Sequence, residues 1–173
     1  MQPSKEQGPQ MIKTIEKLFN YHEWAMNAIF SSLQNFTEEE FTRDLGDGCG
    51  SVRDKVGHII AADKIWLDRI QKRAELIFLP PSYFSSISIT KNLKEETKTN
   101  WKSYIASLQV ADYYRDISYQ NMKGESFETP LREILLHVLN HATYHRGQVA
   151  SLIRRIKGSP PVTDFIQFAR NPN

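Results

Sequence analysis

A single cysteine, Cys49, in a chain of 173 residues leaves no pair for an internal disulfide. That excludes a disulfide-stapled fold and points to a reducing compartment, so the expected location is cytoplasmic. Surplus positive charge is missing as well: 22 Lys and Arg stand against 20 Asp and Glu, a formal net charge of +2. Nucleic-acid binders draw their affinity from neutralising phosphates, and this balance gives no electrostatic reason to expect such a partner. No stretch approaches the roughly 18 to 20 apolar residues that a bilayer-crossing helix requires. The opening MQPSKEQGPQ is polar and lacks the apolar centre of a signal peptide. Residues 1–10 therefore read as a flexible tail, and residues 11–173 as one soluble domain with no membrane partner.

What is present is an ordinary globular balance, with 40% hydrophobic and 24% charged residues. A chain of this length can bury about 70% of its unfolded surface, enough for a core without staples. Apolar residues recur with a helical period at Ile12, Ile15, Phe19, Met26, Ile29, Phe30 and Leu33, which predicts a first helix from Met11 to Leu33. His22 falls on the same stripe and reads as a partly buried histidine in need of a hydrogen-bond partner. Thr37 to Glu40 has the form of a capping box and predicts a short helical turn. Ser51 to Asp54 repeats the signal and opens a second long helix, expected to reach about Ala74, with Asp63 and Trp66 on its main stripe. His58 lies off the centre of that stripe.

Pro80-Pro81 ends the element, and residues 82–90 read as an irregular crossover. A third helix is expected from Lys91 to Leu108. Alternation over Asp116–Thr129 around Lys123-Gly124 predicts a small β-hairpin. Thr129 then reads as an N-cap and Pro130 as the first residue of a fourth helix, which extends to Lys157 before Gly158. The apolar tail from Val162 to Phe168 is expected to dock on the rest. The expected fold is all-α: a four-helix bundle with a small hairpin before its last helix.

Three of the 5 histidines stand at 137, 141 and 145 in the fourth helix. Residues four apart share a helix face, so two imidazoles can converge on one ion. His145 lies within the apolar stripe, His141 on its edge and His137 further round, which makes His141 and His145 the better chelate. The sequence HATYH is not a zinc-protease motif, because Ala142 stands where that chemistry needs a glutamate. A third ligand has to come from another helix. Cys49, in a glycine-rich turn with no base nearby in sequence, reads as structural.

The strings His137-Val-Leu-Asn-His141-Ala-Thr-Tyr-His145-Arg-Gly-Gln148 and Tyr21-His22-Glu23-Trp24-Ala25 resemble signatures of the DinB/YfiT-like family. So do Gly50-Ser51-Val52-Arg53, Gly57-His58-Ile59, the run from Gly124 to Leu131, and Pro160-Pro161-Val162-Thr163-Asp164-Phe165. The resemblance extends from about residue 11 to the end, in order. It implies a four-helix bundle with one divalent transition metal, nickel or zinc, held by His58, His141 and His145. It also implies a homodimer, with His137 a neighbour and not a ligand.

A metal held by three histidines keeps a position for another group, where it can acidify water or a thiol. Relatives in the wider family include thiol transferases that use bacillithiol and mycothiol-dependent isomerases, and others described as metal-dependent hydrolases. The expected function is a thiol S-transferase acting on a small-molecule substrate with a low-molecular-weight thiol. The alternatives are a hydrolase and a non-catalytic metal-binding stress protein. A hydrolase needs a general base, and HATYH holds no carboxylate; Asp63 and Glu23 are the nearest candidates in sequence. His22, Asp63, Tyr144 and Arg146 are candidate pocket residues; Tyr144, Arg146 and Gln148 are expected at the mouth of the site, where Arg146 reads either as a partner for a substrate carboxylate or as a solvated surface arginine.

Overall fold

The structure is a computed structural model and describes residues 7–73 and 76–171. Its elements in order are α1 (Gln7–Leu33), α2 (Glu38–Thr42), α3 (Val52–Ile70), α4 (Ile87–Ser107), β1 (Asp116–Gln120), β2 (Ser126–Pro130), α5 (Leu131–Lys157) and α6 (Phe165–Arg170). The four long helices form a bundle in which α5 packs on α1 and α3, and α4 packs on the same two from another side. Apolar stripes account for this: Ile29 and Leu33 of α1, Val56 and Ile59 of α3, and Leu135, Val149 and Ile153 of α5 are all fully or almost fully buried. No helix among the described residues is long and apolar enough to cross a membrane.

Local chemistry sets the boundaries. Ser51 and Asp54 form a reciprocal capping box at the start of α3, with Asp54 N donating to Ser51 Oγ at 3.1 Å and Ser51 N to Asp54 Oδ2 at 3.0 Å. The α4 helix starts at Ile87, four residues before the sequence reading, because Ser86 Oγ accepts from the Ile89 amide at 3.1 Å. α3 ends at Ile70, and Ala74 lies outside the described residues. Between α3 and α4 a 3-10 turn at Pro81–Tyr83 drives Phe84 into the core, where it is 1% exposed. Gly57 makes that possible: a Cβ there would lie 2.6 Å from the Phe84 ring.

The segment expected to be a tail is helical from Gln7 onward, while residues 1–6 lie outside the described region. The physical reason is a close approach: a Cβ on Gly8 would sit 2.5 Å from a Val110 methyl, so the helix docks on the chain that follows α4. The hairpin is antiparallel, with Ile117 opposite Thr129 and Tyr119 opposite Phe127. Ile117 is fully buried and anchors it beside Leu131 and Ile134. Pro130 occupies the capping position of α5 and Thr129 does not cap it; the Thr129 hydroxyl lies 3.3 Å from that of Tyr119. The C-terminal segment docks as α6, through Phe168 against Tyr21 and Trp24.

Candidate metal centre

Gly57-His58 on α3 and the HATYH segment of α5 lie on the seam between the two helices with the most extensive mutual packing in the bundle. His58, His141 and His145 each offer one nitrogen, and these lie within 4.8 Å of one another. His58 Nε2 and His141 Nε2 are 3.1 Å apart. Two imidazole nitrogens bound at about 2.0–2.1 Å to a single tetrahedral ion stand about 3.3 Å apart, so the pair has chelating separation. The rings of His58 and His145, and of His141 and His145, have centroids 4.4 Å apart.

His145 is oriented by Gln148, three residues on along the same helix face. Its Nδ1 lies 2.8 Å from Gln148 Oε1. With Nδ1–H donating to that carbonyl, the lone pair of His145 is on Nε2, free for an ion; outer partners of this kind fix the tautomer of metal-binding histidines. The charged forms are also disfavoured. Burial first, then repulsion from His145 and His58, takes His141 down from 6.5 to about 4. Burial and the neighbouring His145 and Lys55 lower His58 as well. Neutral imidazoles with converging lone pairs are the form that binds a divalent ion, so the donor set fits one.

The sequence model of the DinB family matches residues 11–172, nearly the whole chain. The chain belongs to the DinB family. Among curated relatives of this DinB-family chain, "Protein DinB" of Bacillus subtilis (strain 168) is 24% identical over 162 residues, covering 86% of this chain and 90% of its own. "Uncharacterized protein YizA" of the same organism is 23% identical over 160 residues, covering 90% and 96%. The crystal structure of a DinB-like protein from Bacillus cereus ATCC 10987 is similar with a TM-score of 0.57 at 16% identity, covering 81% of this chain and 90% of that one. That likeness supports the DinB-type fold.

The other candidate residues separate into two groups. Tyr144 is 66% exposed, its ring edge-on to His145 with centroids 5.0 Å apart, so it stands at the outer side of the three-histidine group. Arg146 does not stand there. It is 1% exposed and points into the bundle, where it donates from Nη1 to His22 Nδ1 and from Nη2 to Thr143 Oγ1, each at 2.7 Å. Its guanidinium also lies over the Tyr21 ring, 5.0 Å from the centroid. The expected place of Arg146 at the mouth, as a partner for a substrate carboxylate, is thereby corrected: Nη1 and Nη2 donate inside the protein, and Nε is buried there without a partner.

Because an arginine can only donate, His22 Nδ1 must accept. His22 Nε2 then carries the proton and donates to Asp63 Oδ2 at 3.0 Å. His22 is thus a neutral bridge between a buried guanidinium and a buried carboxylate, and neither of its nitrogens is free for an ion. Asp63, 5% exposed, is committed to this bridge and lies outside the three-histidine group. Glu23, the other carboxylate considered, pairs with Lys98. His137 stacks edge-on against Trp66, with centroids 5.1 Å apart, and is not among the converging nitrogens.

Arg146 had a signal in the sequence. It is four residues after Ala142 and three before Val149, both fully buried, so it fills a core position of the α5 stripe. Gln148 had one too, at i+3 from His145.

Proposed function

We propose that this protein is a metal-dependent thiol S-transferase with one divalent transition metal, nickel or zinc, held by His58, His141 and His145. The observation that carries the reading is the convergence of three imidazole nitrogens within 4.8 Å, one of them oriented by Gln148. A divalent ion there would supply an acidified nucleophile by lowering the proton affinity of a thiol at its remaining position. The residues do the rest of the work. Gln148 holds the His145 ring so that its lone pair faces the site. His58 is exposed, which leaves the seam open to a thiol and to its electrophile. Tyr144, on the same open side, has a hydroxyl and a ring face available to the substrate.

Thiol chemistry is favoured over hydrolysis by the surroundings. Among the described residues no carboxylate joins the three histidines, and Asp63 and Glu23 are tied to His22 and Lys98. A hydrolase would need such a base beside its water. The proposal includes a cytoplasmic homodimer acting on a small electrophile.

The test combines elemental analysis with turnover. About one ion per chain in the wild type and none in His141→Ala is expected, with metal-dependent conjugation of a low-molecular-weight thiol to chlorodinitrobenzene. Ester hydrolysis without added thiol would move the reading to a hydrolase. Bound metal without either activity would leave a metal-binding protein that does not turn over.

A further inference from the structure

A second candidate site lies between α1, α3 and α4. Helices α1, α3 and α4 enclose a cavity of about 270 Å³ whose lining includes none of the three converging histidines. Its body is apolar, formed by Phe19, Met26, Ile60, Trp101 and Ile105. The Trp101 indole N–H donates to the Asp63 carbonyl oxygen at 3.0 Å, and Phe19 packs on the same indole with centroids 4.9 Å apart. These contacts hold two aromatic rings rigidly at the wall. A volume of this size falls just below the roughly 300–1,000 Å³ typical of small-molecule pockets, which suits a compact ligand.

The polar groups of the lining decide which ligand. Two lysines border the cavity with their ammonium groups already matched: Lys94 with Asn27 and Glu95, and Lys98 with Glu23 and Glu95. Glu16 and Lys102 add one charge of each sign. Asp63 is different. It lines the cavity, its Oδ2 is taken by His22, and its Oδ1 is buried with no hydrogen-bond partner. His22 is neutral, so it does not balance the carboxylate, and the Arg146 guanidinium is held off on the far side of the imidazole. A buried carboxylate oxygen without a donor is costly, and the partner it lacks is a hydrogen-bond donor, best a cation.

We propose that the α1/α3/α4 cavity binds a small organic amine, with its ammonium on the free oxygen of Asp63 and its apolar body between the aromatic and aliphatic walls. Trp101 and Phe19 reinforce the choice, since aromatic faces favour a cation over an anion. The site is independent of the metal reading, because the two share no residue.

Phenethylamine is the probe, titrated by calorimetry into the full-length protein beside two compounds of matched body, ethylbenzene and 3-phenylpropionate. Saturable binding of one amine per chain is expected, with at least tenfold weaker binding of both comparison compounds. Asp63→Asn keeps an acceptor for His22 but turns the second oxygen into a donor, and should weaken the amine at least tenfold. Ala106→Phe, at an exposed position of the lining, fills the space without touching Asp63 or His22 and should do the same in a protein that melts like the wild type. His141→Ala should bind the amine within twofold of wild type, which separates this site from any amine taken up by a metal. No saturation at millimolar amine, equal binding of ethylbenzene, or unchanged binding in Ala106→Phe would each overturn the proposal.

Discussion

Two groups of histidines sit in this bundle within reach of the same helix, α5, and they are built on opposite principles. On the α3/α5 seam, His58, His141 and His145 crowd together with no carboxylate among them, and their lone pairs converge. In the interior, His22 lies alone between Asp63 and Arg146 with both nitrogens spent. The first arrangement disfavours protons and leaves donors for an external cation. The second already contains its cation and anion and needs nothing from outside at the imidazole. A histidine's identity as ligand or strut is therefore set by what its second nitrogen meets, not by its place on a helical wheel.

The largest effect should come from breaking the interior group. Arg146→Ala removes a guanidinium that is 1% exposed and takes away the donor to His22 Nδ1 and to the Thr143 hydroxyl. Leaving a buried acceptor without its donor costs about 1–3 kcal/mol, and the packing of the guanidinium on Tyr21 is lost with it. Chemical denaturation should show a loss of that size. A loss below about 1 kcal/mol, the ceiling of an exposed ion pair, would mean that the interior bridge is not the strut described.

Next is the seam. His58→Ala, His141→Ala and His145→Ala should each lower metal affinity by more than the roughly 10–100-fold that loss of a supporting partner costs, measured by competition with a chromogenic chelator. His22→Ala and His137→Ala should retain the metal even where they lower stability. Equal metal loss in all five variants would erase the distinction between the two groups and indicate general unfolding.

How much of this distinction was legible in the sequence depends on the period of each signal. The bundle and hairpin follow from stripes in α1, α3 and α5 and from alternation across Asp116–Thr129, because burial of a continuous face is what those periods encode. The His141/His145 pair follows from the helix repeat alone. His58 does not: it is exposed, off the core stripe, and sequence periodicity carries no information on which edges of two helices meet. Family resemblance supplied it, and the geometry brings it to the other two. Arg146 was misplaced because its charge argued for solvent, whereas its spacing from Ala142 and Val149 argued for the core; the partners that make burial tolerable, His22 and Tyr21, are 124 and 125 positions away in the chain. The start of α1 at Gln7 was missed for a similar reason, since the Gly8–Val110 contact is long-range.

A subtler change tests whether the seam depends on its outer support. Gln148→Leu keeps the bulk of the side chain and removes the acceptor for His145 Nδ1–H. The imidazole is then free to change tautomer or rotate, and metal affinity should fall about 10–100-fold, less than on loss of a ligand. Gln148→Glu should restore it, since a carboxylate accepts the same proton. If Gln148→Leu binds metal as tightly as wild type, packing alone orients the ring and the tautomer argument fails.

The smallest effect is the pH dependence of the metal-free protein, and its sign follows from the crowding of the seam histidines. His141 is taken from 6.5 to about 4 by burial and by its neighbouring histidines, and His58 is lowered too. Between those two values the unfolded chain binds protons that the folded chain refuses. Folding stability therefore rises with pH across that window. The contribution is complete above about pH 6.5 and is lost progressively as pH falls toward 4. Solvent access to the seam keeps the size modest. Denaturant midpoints of the metal-free protein at pH 7 and pH 5 should differ in that direction, and the difference should shrink in His141→Gln, which has no proton to bind at that position. The refusal of protons at His141 comes from burial and from the other three histidines of the seam and its flank. A difference untouched by His141→Gln would mean that the folded protein does not refuse protons at the seam, and the crowding of the three imidazoles would lose its stated consequence.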